Sequence, residues 1–124
     1  MTFLTKTRTL LAATAIALTA AGGALAAGFE LLDEAPEDAV IVNIDKMKYE
    51  TPAVTIKAGE AVTWINNEVM PHNVHFLAGV VTEDAVRGEM LKKGESWSAR
   101  FNEPGTYDYH CTPHPFMRGK VVVE

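Results

Sequence analysis

Three side chains able to bind a metal crowd into one stretch near the C-terminus, Cys111-Thr112-Pro113-His114-Pro115-Phe116-Met117. Cys111 is the only cysteine of the chain, His114 follows three positions on, and Met117 three after that. A thiolate, an imidazole and a thioether are the soft and borderline donors that suit copper. One short loop does not easily close a site alone, so a further ligand has to come from elsewhere. His72, in Met70-Pro71-His72-Asn73-Val74-His75, is the obvious candidate. The expected centre is a one-electron copper site of His72, Cys111, His114 and Met117. Its strong ligands would be two neutral imidazoles and a thiolate, with a long axial bond to methionine tuning the potential.

The unpaired cysteine gains meaning from the start of the chain. Lys6 and Arg8 precede an uncharged apolar run from Leu10 to Ala21, and Ala24-Leu25-Ala26 offers the small residues of a cleavage site. This is the pattern of a secretory signal peptide over 1–26. The run is shorter than the roughly 20 residues that span a bilayer, so no membrane insertion is expected after cleavage. An exported protein usually pairs its cysteines, and Cys111 has no partner in the chain. That leaves an intermolecular disulfide, a reactive thiol or a metal-bound thiolate, and a metal protects the sulfur by occupying it. The net charge of −5 at pH 7 becomes more negative once Lys6 and Arg8 leave, which disfavours nucleic acid and anionic membranes as partners. Roughly 100 remaining residues suffice for one small domain, expected to act as a monomer.

The elements that must position these ligands are strands. Residues 27–38, with Glu30, Asp33, Glu34, Glu37 and Asp38, form an acidic lead-in without assignable chemistry, and the domain proper is expected over 39–124. Val40-Ile41-Val42-Asn43-Ile44 is rich in β-branched residues, and Glu60 to Asn66 alternates with Val62 and Trp64 on one face. Ser96 to Phe101 alternates as well, turning Trp97, Ala99 and Phe101 inward. Thr82-Glu83-Asp84 before Ala85-Val86 is compatible with one capped helical turn ended by Gly88. Seven or eight short strands with turn signals between them predict an all-β sandwich.

Strand parity then aims the ligands. Tyr107, Tyr109 and Cys111 share a face, so the sulfur points between the sheets, whereas Asp108 and His110 point the other way. Pro113 and Pro115 flank His114 and restrict the backbone on both sides, bracing the loop. Asn73, next to His72, can tie the two ligand segments together through its side-chain amide. Met70, Pro71, Pro113, Pro115 and Phe116 can form an apolar collar around the His114 edge, the kind of patch that marks a contact surface, and Arg118 can orient a partner. His75 has the opposite parity to His72 and is expected, like His110, to stay off the metal.

The pattern Cys-x-x-His-x-x-Met after Gly105-Thr106-Tyr107-Asp108-Tyr109-His110, with Pro71-His72-Asn73 upstream, resembles the cupredoxin family. The short ligand loop and the stretches Met47 to Pro52, Val62 to Asn66 and Met70 to Phe76 are similar to the amicyanin branch of that family. The resemblance implies a Greek-key β-sandwich with type 1 copper on His72, Cys111, His114 and Met117. It also implies a periplasmic carrier that takes electrons from methylamine dehydrogenase and passes them to a c-type cytochrome. Three other metal chemistries fit the residues less well. A copper oxidase or nitrite reductase needs more histidines than His75 and His110 supply, and a copper-delivery protein favours exposed, exchangeable ligands over a proline-braced loop. Structural zinc seldom takes a thioether.

Overall fold

A computed structural model describes residues 28–124, leaving the signal-peptide expectation for 1–26 outside the described residues. Ten strands follow one another as β1 (Phe29–Leu32), β2 (Val40–Asp45), β3 (Lys48–Tyr49), β4 (Ala53–Ile56), β5 (Glu60–Asn66), β6 (His75–Phe76), β7 (Val86–Arg87), β8 (Ser96–Phe101), β9 (Gly105–Cys111) and β10 (His114–Val123). They form two five-stranded sheets, ordered β1-β8-β5-β2-β3 and β4-β10-β9-β6-β7. Two parallel pairings, β2 with β5 and β4 with β10, sit among antiparallel ones, so the sandwich is mixed. Among the described residues no helix is long and apolar enough to cross a membrane.

The alternation read from the sequence is the alternation that packs. Val42, Ile44, Val62, Trp64, Phe76, Ala99, Phe101 and Val121 are fully buried between the sheets. Burying one such side chain is worth about 1.5–3 kcal/mol. Aromatic edges fill the centre: Tyr109 meets Tyr49 at 4.8 Å, Trp64 at 5.3 Å and Phe76 at 5.5 Å between ring centroids. Tyr109 also explains Gly119 opposite it, because a Cβ there would sit 2.4 Å from the tyrosine ring and hydroxyl.

The acidic lead-in contributes a strand: Phe29–Leu32 pairs antiparallel with β8 and Phe29 packs edge-on to Phe101 at 5.4 Å. One apolar ring reaching the core outweighs the acidic residues around it. The capped helical turn at Thr82 does not form; Thr82 Oγ1 donates to the Asp84 carbonyl in a bend, and Val86–Arg87 pairs with β6 instead. A three-residue polar cap cannot sustain a helix with no apolar stripe behind it.

The β2–β3 connection positions the site from below. Lys46 and Met47 both adopt positive φ, 53° and 59°, which favours a tight hairpin but costs roughly 1–2 kcal/mol for each non-glycine residue. Their two amide hydrogens converge on the Glu68 carboxylate, at 2.9 Å for Lys46 and 3.0 Å for Met47.

Candidate metal centre

The hairpin joining β9 to β10 turns within Thr112-Pro113, so Cys111 ends one strand and His114 opens the next as its register partner. The ladder shifts between His114 and Arg118. That irregularity lets Pro115 and Phe116, both exposed, bulge away while Met117 turns back into the core at 2% exposure. The expected loop over Thr112 to Phe116 is thus mostly the bulged start of a strand. His72 arrives from the opposite side through a two-way backbone bridge with Leu91, His72 N to Leu91 O at 3.3 Å and Leu91 N to His72 O at 2.7 Å. Asn66, fully buried, holds both arms of this bridge by donating to the carbonyls of Met70 and Leu91.

These segments bring three donor atoms together. Cys111 Sγ lies 3.7 Å from His72 Nδ1 and 3.6 Å from His114 Nδ1, and all three atoms fall within 4.8 Å of one another. His72 and Cys111 are fully buried, whereas His114 keeps a partly exposed edge. Burial pushes the Cys111 thiol above its ordinary range, opposed by hydrogen bonds from the Asn73 and His114 backbone. A thiolate in this position needs a cation, and two imidazole nitrogens facing it without a carboxylate are the donor set of a soft or borderline metal. The residues fit copper.

Asn73 links the segment of His72 to Thr112. Its Oδ1 accepts from the Thr112 amide at 2.8 Å, and its Nδ2 donates to Thr112 Oγ1 at 2.8 Å and to the Gly88 carbonyl at 3.0 Å. The Tyr49 hydroxyl donates to the Asn73 carbonyl at 2.6 Å, fastening the same segment to β3. His75 stays apart from the cluster, with Nδ1 3.2 Å from Thr112 Oγ1 and its ring 4.5 Å from that of His110. Met70, Pro71, Pro113, Pro115 and Phe116 are all exposed, and Phe116, at 69% exposure, holds its ring 6.0 Å from His114. Arg118, also exposed, donates from Nε to the Pro115 carbonyl at 3.2 Å.

Sequence inspection missed Glu68, whose Oε1 contacts His72 Nε2. It also missed Asn66 and Thr112 as fasteners. A carboxylate four residues before the candidate ligand His72 was the available signal for Glu68.

Comparison with known proteins places this arrangement. The model of the copper-binding protein family that contains plastocyanin and azurin matches residues 36–124. The chain belongs to this family, the type 1 copper proteins that carry electrons and are not enzymes. Within it the chain falls among the amicyanins. It is 56% identical to amicyanin of Paracoccus denitrificans over 97% of both chains. It is 57% identical to amicyanin-alpha of Methylorubrum extorquens over 94% of this chain and 99% of that one. The crystal structure of amicyanin from Paracoccus versutus superposes with a TM-score of 0.75 at 58% identity, covering 78% of this chain and 98% of that one.

Proposed function

We propose that His72, Cys111, His114 and Met117 hold the copper ion, and that the protein shuttles single electrons in the periplasm from methylamine dehydrogenase to a c-type cytochrome. The observation that carries the ligand assignment is the placement of the Cys111 sulfur within 3.7 Å of one nitrogen from each of two imidazoles. Copper supplies a Cu(I)/Cu(II) couple. The chain supplies the rest: a buried thiol, a ring on each side, and an apolar methionine at the core side that keeps water away.

Electron transfer goes fastest when little moves. Asn73 and Thr112 lock the segment bearing His72 to the turn bearing His114, and Pro113 and Pro115 restrict the backbone on either side of that ring. His114 is the half-exposed edge through which an electron reaches a partner. The exposed Met70, Pro71 and Phe116 form the apolar docking surface, with Arg118 adding directional charge. Methylamine dehydrogenase as donor and a c-type cytochrome as acceptor rest on the similarity to amicyanins.

Mixing the copper-loaded protein with methylamine dehydrogenase and methylamine tests the donor. Bleaching of the blue colour during methylamine oxidation, slowed in Phe116→Ala and Met70→Ala, is the expected result. Equal rates in wild type and both variants would remove the docking assignment, and no bleaching would remove the donor.

A further inference from the structure

The methionines of the described residues meet solvent very differently. Met117 is 2% exposed, and Met47 is half-buried against the core. Met70 and Met90 are 49% and 43% exposed. These two sit on the two segments that frame His72. Met70 precedes it by two residues, and Met90 precedes Leu91, whose amide and carbonyl bridge to the His72 backbone. The Asn66 side-chain nitrogen donates to the Met70 carbonyl at 2.9 Å and to the Leu91 carbonyl at 2.8 Å, so one amide holds both segments side by side. Val69, beside Met70, is more exposed still and adds apolar surface. Methionine is a flexible apolar side chain until its sulfur gains an oxygen, when it becomes polar. A valine such as Val69 presents apolar surface without that chemistry.

We propose that Met70 and Met90 form a paired modification site: hydroperoxides oxidise both to the sulfoxide, and this switches off docking of the electron donor. The thioether sulfur attacks the terminal oxygen of the hydroperoxide, the O–O bond breaks and an S–O bond forms. The sulfur gives up two electrons, and the departing water or alcohol carries the proton away. Burial shields Met117 from this attack, and packing against the core slows it at Met47. The sulfoxide oxygen accepts hydrogen bonds from water. A partner that covers it strips a polar group of solvent and offers nothing in return, which an apolar contact does not survive cheaply. Methionine sulfoxide reductases restore the thioether, so the loss is reversible. The docking consequence rests on the apolar docking surface proposed above; the place of oxidation does not.

Two measurements on the Cu(II)-loaded protein decide it. After limited treatment with tert-butyl hydroperoxide, peptide mass spectrometry should find one added oxygen on Met70 and on Met90 before Met47, and at least about tenfold faster than on Met117. The visible spectrum should stay as it was. Once the hydroperoxide is removed, association with methylamine dehydrogenase should be weaker by about tenfold, and sulfoxide reductase treatment should restore it. In Met70→Leu/Met90→Leu, whatever its own association, the same treatment should change nothing. Oxygen that appears on Met117 or Met47 as fast as on the exposed pair overturns the site. Full oxidation of both residues with association unchanged overturns the switch. In that event Met70→Ala separates the two readings: if it slows the donor, the switch alone has failed, and if it does not, the docking surface has failed with it.

Discussion

Among the described residues two pairs of histidine rings lie close together, and only one of them faces a third side chain able to bind a metal. His72 and His114 stand 5.1 Å apart at a steep angle of 62°, with the sulfur of Cys111 between their Nδ1 atoms. His75 and His110 lie closer, 4.5 Å apart and tilted by 37°, as register partners on β6 and β9. The second pair is the more intimate, yet it encloses no third donor. Strand parity makes the difference. Cys111 faces the core, so the residue just before it must face away and take His75 with it. Proximity of imidazoles is therefore a poor guide to metal binding, and what lies between the rings is a good one. Thr112 joins the two pairs, since Asn73 holds it from the metal side and His75 from the other.

The contrast breaks most completely at the sulfur. Cys111→Ser leaves both ring pairs in place but removes the soft anion, so the blue band should vanish and copper affinity fall by at least about 100-fold, as loss of a thiolate ligand demands. Copper titration followed by visible absorption measures both. A variant that stayed blue would mean that the sulfur is not what separates the two pairs.

Asn73→Ala comes next. It strips the half-buried Thr112 amide of its partner inside the fold and leaves the Thr112 hydroxyl to His75 alone, and a polar group withdrawn from water without a partner costs about 1–3 kcal/mol. Urea denaturation should show that loss in the copper-free protein. In the loaded protein the band should broaden, because the two ligand segments are no longer tied.

His75→Gln should have the smaller effect, about 0.5–1.5 kcal/mol of stability for one lost hydrogen bond to Thr112, with the blue band unmoved. A shift of the band would place the second pair inside the metal centre. The same residue sets an acid limit. Burial, then His110 and Arg87, hold the His75 pKa below its ordinary value, so the folded state resists its protonation. The resulting stability is present above the unfolded value of about 6.5 and is lost as pH falls through the lower folded value. Denaturation curves between pH 7 and pH 5 should therefore steepen their loss in the wild type and flatten in His75→Gln.

How much of this was legible in the chain follows from where each interaction begins and ends. Cys111, His114 and Met117 lie within one hairpin, so their spacing alone implied a site. Strand parity supplied the inward turn of the sulfur and the outward turn of His110. His72 was legible because proline breaks pairing just before it. Glu68 was not, because its meaning depends on two amides of a hairpin in another strand pair, more than twenty residues earlier. The φ values that aim those amides leave no mark on side-chain types such as Lys46 and Met47. Phe29 was hidden in the same way, since acidic neighbours dominate the composition around it while one ring secures β1 to Phe101.

The central claim is that Cys111 sits between two imidazoles as a copper-bound thiolate, and the visible spectrum of the Cu(II)-loaded protein tests it most directly. An intense blue thiolate-to-copper band that disappears on reduction and returns on reoxidation is the predicted result. A loaded protein that is colourless, or whose weak absorption ignores the redox state, would contradict it.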